Sequence, residues 1–266
     1  MTDKAMRNAA VTRAVLFLLV LLFAAPAAVV AQEAPPPLSE VWLITPKAGH
    51  GKEFSAGLAA HMAFRSEHGD PRAWRTYTPL LGEQLNRVAV RYCCFAWADA
   101  DAYRGWENGK PEVQAHFDEH VAPHVESAAH YFETMDWANS HWSEANGPYR
   151  LYAVTEFTVA PGQAGEFDAA REKMSQIAIE QGWASDDHVW LWATVIGGQA
   201  RQSVIVPHKD FASFDRPGET LAQFLADRLG SAEAAAELMN RFQAATTGAE
   251  FQVWEHQAEL SMPASD

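Results

Sequence analysis

The sequence predicts an α+β protein in which one β-α-β-β-α-β unit is written out twice in tandem. Three observations carry this: a long-period repeat, apolar periodicities that change in the same order in both copies, and a Gly-marked turn in the middle of each. The repeat shows first in "PKAGHGKEFSAGLAAHMAF" and "APGQAGEFDAAREKMSQIAI", where Gly49, Glu53 and Phe54 recur as Gly162, Glu166 and Phe167, each 113 residues later. Trp74 and Gly82 match Trp190 and Gly198 at a spacing of 116, and Asp99 and Tyr103 match Asp210 and Phe214 at 111. A period of that length marks a duplicated domain, not a solenoid.

Each element follows in turn. The first strand is expected over 40–45 and 150–158, rich in aromatic and β-branched residues. A helix follows over 52–67 and 163–181, with an apolar stripe of Phe54, Leu58 and Phe64 in one copy and Phe167, Met174 and Ile177 in the other. Two strands flank the Gly turn, 73–80 with 87–95 and 188–196 with 201–207. A long helical region is expected over 99–132 and 210–245, and a last strand over 134–142 and 250–260. That order is the split βαβ unit of ferredoxin-like folds. The halves span 40–142 and 150–260, joined by a linker at 143–149 and followed by a tail at 261–266.

The turn "TPKAGHGKEF" between the first strand and helix raises a phosphate-binding loop, and the sequence rejects it. Such a loop needs G-x-x-x-x-G-K-[S/T], whereas Pro46 holds the first position and Glu53 follows Lys52. The second copy, "APGQAGEF", has no lysine. What the copies share is a turn glycine and a Glu in the first helical turn, where the helix dipole favours it.

The N-terminus carries Lys4, Arg7 and Arg13, then the apolar block 14–31, with small residues for cleavage after Ala31. This is the layout of a secretory signal peptide over 1–31, followed by a Pro-rich leader at 32–39. An uncleaved anchor is the alternative, since 18 apolar residues approach the ~20 that span a bilayer. The expected location is periplasmic or secreted, not membrane-embedded after processing. Cleavage removes three positive charges and one negative, taking the formal charge from −14 to −16. A surface of that sign repels phosphate backbones, so nucleic acid is not an expected partner. The two cysteines, Cys93 and Cys94, are adjacent, and neighbours on a strand point to opposite faces. No bridge is expected between them. They fit as small apolar residues of a buried strand, with a redox pair as the other reading.

"PG..GEF", the paired central strands and "FAWADADAYRGWENGKPEV" resemble the dimeric α/β-barrel superfamily, which includes NIPSNAP-like and antibiotic-biosynthesis-monooxygenase-like domains. The resemblance covers nearly all of 40–260 as two tandem copies. It implies that the two ferredoxin-like units form one eight-stranded antiparallel α/β barrel, whose interior is the natural ligand cavity and whose closure requires no oligomer. It leaves activity open, because that fold hosts haem enzymes, cofactor-free oxygenases, isomerases and proteins of no known activity.

Alternation on "DHVWLWATV" places His188, Trp190 and Trp192 on one face, matched in the first copy by Arg72, Trp74 and Thr76. With Trp42 and Trp254 these are expected to line the cavity, or else to pack as aromatic core. The ligand-binding candidates are therefore His188, Trp190, Trp192, Trp74, Arg72 and Trp42. Glu156 and Glu255 flank the same cavity. His116 and His120, at i and i+4 with Glu112 one turn back, are weak metal candidates or a solvated polar face. No cofactor is favoured. Haem, implied by the resemblance, is held in tandem relatives by a histidine on the C-terminal half's second helix; that segment here has none, so His116 or His120 would have to serve. His61 aligns with Met174 on a stripe that should face the sheet, as a buried core histidine or a general base. The expected function is binding of a small hydrophobic or aromatic ligand in a Trp-rich cavity. The alternatives are a cofactor-independent or haem-dependent oxygenase, and a structural or partner-binding protein with a filled barrel.

Overall fold

The computed structural model describes residues 35–215 and 218–263. The signal segment lies outside these, as do the start of the leader and the end of the tail. The chain runs β1 (Leu38–Pro46), α1 (Gly51–Glu67), β2 (Arg75–Leu81), β3 (Val88–Phe95), α2 (Trp97–Asn108), α3 (Pro111–His120) and β4 (Val125–Met135). It continues as β5 (Leu151–Val159), α4 (Ala164–Glu180), β6 (Leu191–Ile196), β7 (Gln202–His208), α5 (Leu221–Leu229), α6 (Ala232–Ala244) and β8 (Thr246–His256). Each half has the ferredoxin-like order, with its second helix in two pieces. Within the halves the strands lie β4-β1-β3-β2 and β8-β5-β7-β6. β2 pairs with β8 and β4 with β6, so one antiparallel sheet of eight strands closes into a barrel with no free edge.

Helices cover the outside. Phe54 on α1 and Phe167 on α4, at the same place in the repeat, are both fully buried. Phe54 joins Ile44, Leu58, Met62, Trp74, Val90 and Tyr103 in one core; Phe167 joins Trp192, Phe224, Leu225 and Phe242 in the other. Burying a side chain of that size is worth about 1.5–3 kcal/mol, so these two phenylalanines are the main anchors of their helices. Gly57 is where α1 crosses the end of α3: a Cβ built there would collide with the His120 carbonyl oxygen.

Several boundaries differ from expectation. Leu38 and Ser39, predicted as leader, begin β1, and Met262 of the tail packs into the first core while Ser261 Oγ accepts the Thr76 N–H at 2.9 Å. The long helix expected over 99–132 ends at His120, and β4 starts at Val125, nine residues earlier than the sequence suggests. "VESAAHYFETM" has alanines that favour helix, but pairing with β1 along its whole length overrides that propensity. In the second half Gly230, at φ +80°, separates α5 from α6, and β8 begins at Thr246.

The cysteines also depart from expectation: Cys93 and Cys94 form a disulfide. Both side chains line the barrel interior, against the alternation that would send them to opposite faces.

Candidate functional site

The structure puts the predicted residues on the outer face of the barrel. On β6 the interior side is taken by Leu191, while Trp190 and Trp192 pack under the helices of the second half. Their indole N–H groups donate to Asn139 O (2.8 Å) and Ser175 Oγ (3.2 Å). His188 stacks on Trp183 at 3.8 Å, outside the barrel wall. Trp74 belongs to the outer core of the first half, and Arg72 is 3% exposed beside it. Alternation correctly groups these residues, but a closed sheet has two buried faces and the period does not say which is which. Of the tryptophans expected inside, Trp254 is there. Glu156 faces in; Glu255 faces out, toward Arg150 at 3.2 Å.

Trp42 and Trp74 do come together, in a cleft of about 680 Å³ between the sheet and the first half's helices. Ile44, Leu58, Met62, Val90, Val113 and Phe117 form its apolar walls. His61, Arg65, Glu107 and Lys110 supply its polar end. Trp42 is 39% exposed and lies flat on His130, ring centroids 4.0 Å apart and planes 12° apart. His130 Nε2 is 2.7 Å from Glu40 Oε1, and the other Glu40 oxygen holds Arg72. Burial pushes the Glu40 carboxyl up, but the His130 hydrogen bond and the Arg72 guanidinium outweigh it and hold the pKa below the usual value. Arg72 in turn lies over the Tyr103 ring at 3.7 Å and the Phe95 ring at 4.4 Å. Trp42 is thus a platform fixed from beneath.

A second network backs the polar end. Arg65 Nε donates to Asp70 Oδ2 at 2.6 Å, and Arg65 also bonds the Tyr103 hydroxyl. Tyr103 donates to Asp70 (3.1 Å) and accepts from Trp74 Nε1 (3.1 Å). Glu107 lies 3.9 Å from Arg65, and burial raises its carboxyl pKa. His61 is 3% exposed; burial, then the Arg65 charge, drives its pKa down to about 3. It is a neutral imidazole at any physiological pH. The sequence signalled His61 by its mismatch with Met174. It did not signal Arg65, although Arg65 lies at i+4 from His61 on the same helical face.

His116 and His120 do not line this cleft. His116 packs on Phe64 (4.3 Å) with its Nδ1 3.3 Å from His61 Nδ1, and the His120 side chain is half exposed. Among the described residues no group of three His, Cys, Asp or Glu is placed to hold a metal ion. Neither of the two histidines named for haem ligation lines the cleft.

The second half packs aromatic side chains at the matching place. Met174 stands where His61 does, Ala178 where Arg65 does, and Phe157, Trp192, Phe224 and Phe242 fill the space. Phe242 meets Phe167 at 4.6 Å and Phe157 at 5.1 Å.

The barrel interior is a separate cavity of about 580 Å³ with a different character. Tyr77, Tyr131 and Tyr152 face into it, and burial raises the pKa of all three phenols. Arg91 pairs with Glu133 (3.3 Å) and Arg201 with Glu156 (2.8 Å). Its wall mixes these polar groups with Trp137, Trp142 and Trp254, so it is more polar than the cavity expected, and its tryptophans are not the ones the sequence grouped.

No protein-family model and no curated protein matches the sequence. Solved structures do. A candidate monooxygenase from Lactobacillus acidophilus superposes with a TM-score of 0.51 at 8% identity, over 83% of this chain and 94% of its own. An anthrone oxidase-like protein gives 0.48 at 12% identity, over 83% and 91%. A candidate monooxygenase from Fusobacterium nucleatum gives 0.48 at 11%, over 87% and 100%. The chain shares the ferredoxin-like α/β fold of the first of these. Among the described residues no helix is long and apolar enough to cross a membrane.

Proposed function

We propose that the protein binds a flat, mainly apolar organic molecule in the outer cleft of its first half, with the molecule's polar end against His61, Arg65 and Glu107. The observation that carries this reading is the asymmetry between the halves. Where the second half closes its sheet–helix interface with Phe157, Phe224 and Phe242, the first leaves about 680 Å³ and floors it with a stacked, half-exposed tryptophan. An apolar cleft with a few convergent polar groups is the usual form of a small-molecule site. Calorimetric titration with 2-naphthol tests it. Ala128→Phe, at an exposed cleft position, should weaken binding at least tenfold, and Val154→Phe inside the barrel should leave it unchanged. The opposite pattern would place the ligand in the barrel and end this reading.

A cofactor-independent oxygenase is the second reading, and the pairing of a neutral His61 with the Arg65 guanidinium favours it. An unprotonated imidazole of such low basicity can orient a substrate O–H by accepting its hydrogen bond, and a guanidinium stabilises an anion formed beside it. The fold neighbour described as a candidate monooxygenase is consistent with this. The substrate would be an aromatic with an activated CH₂, which dioxygen converts to C=O while the second oxygen leaves as water with the two hydrogens. Oxygen uptake with such a compound, lost in His61→Gln, is the expected result.

The NIPSNAP-like kinship, the origin of the halves by duplication and export by a cleaved leader belong to the same reading. Matched helix anchors at Phe54 and Phe167 support the second of these. N-terminal sequencing of protein from its native host should begin at Gln32.

A further inference from the structure

We infer that the barrel interior is a second site, in which the Cys93–Cys94 bridge exchanges with a small thiol that carries a carboxylate. The bridge lies on the interior wall, within the cavity of about 580 Å³. Eight hydrogen-bonded strands form the wall, and Trp137, Trp142 and Tyr149 from the linker line one end. A chamber of that size admits a molecule of amino-acid or tripeptide dimensions and excludes the surface of another protein.

Charge gives the thiol its second feature. Arg91 stands two residues before Cys93 on the same face of β3, roughly 7 Å along the strand. Directly across the β2–β3 ladder is Arg75. Arg91 is committed to Glu133, whereas Arg75 forms no salt bridge among the described residues. Its cavity neighbours are His256, whose pKa burial and then Arg75 push down, and Glu144, which already accepts the Trp142 indole N–H at 2.7 Å. Arg75 is therefore the free guanidinium beside the bridge, and a carboxylate is its natural partner.

The exchange balances without an outside oxidant. A thiolate attacks one sulfur of the bridge, the S–S bond breaks, and the other cysteine leaves as a thiolate that takes a proton. A second thiol attacks the mixed disulfide, releasing the small disulfide and leaving two protein thiols. Two electrons and two protons pass from the small thiols to the bridge.

The test compares mercaptoacetate with mercaptoethanol on the native full chain, read by alkylation and intact mass. Each rate is divided by that of the same thiol on 2-hydroxyethyl disulfide in solution. The chain as purified without reductant should resist alkylation, and both thiols should open the bridge without denaturant. The normalised rate should be roughly fivefold higher for mercaptoacetate, the size of a partly screened ion pair. Arg75→Gln should abolish that preference, and Arg75→Lys should keep it. The proposal is overturned if the cysteines alkylate without reductant, or if the bridge opens only in urea. It is equally overturned if a protein dithiol such as thioredoxin opens it as fast as the small thiols, or if wild type and Arg75→Gln show the same preference.

Discussion

His61→Gln should flatten the acid side of the stability profile by about 2 kcal/mol between pH 7.5 and 5.0. In the unfolded chain this imidazole titrates near 6.5, and in the fold at about 3. The unfolded state therefore binds the extra proton first as pH falls, so the stabilising contribution is complete above 6.5 and is lost through the window from 6.5 down to 3. At pH 5.0 the unfolded imidazole is almost fully protonated and the folded one is not. The difference is 1.5 units at 1.36 kcal/mol each, or about 2 kcal/mol. Urea unfolding at the two pH values, in wild type and variant, isolates this part. Effects of the substitution that do not depend on pH cancel, as does that of His256, which burial also depresses. A wild-type loss matching that of His61→Gln to within about 0.5 kcal/mol would show that His61 is hydrated in the fold, and its role at the cleft would go with it.

Gly57→Ala should cost about 1–3 kcal/mol, because α3 must shift off the His120 carbonyl to admit the methyl group; thermal melting reads it. Phe167→Ala should cost about 3–5 kcal/mol by emptying the anchor of α4, measured by urea midpoint at unchanged m. Glu40→Gln should cost about 3–5 kcal/mol, since Arg72 stays buried among aromatic rings without its counter-charge. Trp42→Ala should weaken 2-naphthol binding about tenfold in the same titration, with little change in melting temperature because the ring is partly exposed.

The repeat of Gly49, Glu53 and Phe54 as Gly162, Glu166 and Phe167 made the element order legible, because both copies put the same turn and the same anchor at the same step. The last strands were harder. In "VESAAHYFETM" the local preference of the alanines points to helix, and only pairing with β1, distant in sequence, makes a strand of it. The Cys93–Cys94 bridge was unreadable for a related reason. The rule that neighbours point apart assumes regular strand geometry, and both cysteines face the barrel interior. Trp190 and Trp192 were correctly placed together and assigned to the wrong side of the wall, since period two fixes a shared face without naming it.

That misassignment has a physical cause that bears on function. In a closed sheet wrapped by helices, the larger apolar contact is made outside, so the two large apolar cores, with Trp74, Trp190 and Trp192, form on the outer face. The interior receives Tyr131, Tyr152 and the pairs Arg91–Glu133 and Arg201–Glu156, whose hydrogen bonds can be completed within a narrow lumen. A ligand site on the outer face therefore requires that aromatic filling be withheld. The first half leaves a cleft on that face, with His61 and Arg65 where the second half has Met174 and Ala178. A buried neutral histidine and a part-buried guanidinium are worse fillers than methionine and alanine by the ordinary cost of desolvation. Their presence on the helical stripe that faces the sheet is a loss to packing in the free protein, and the bound molecule we propose is what would offset it.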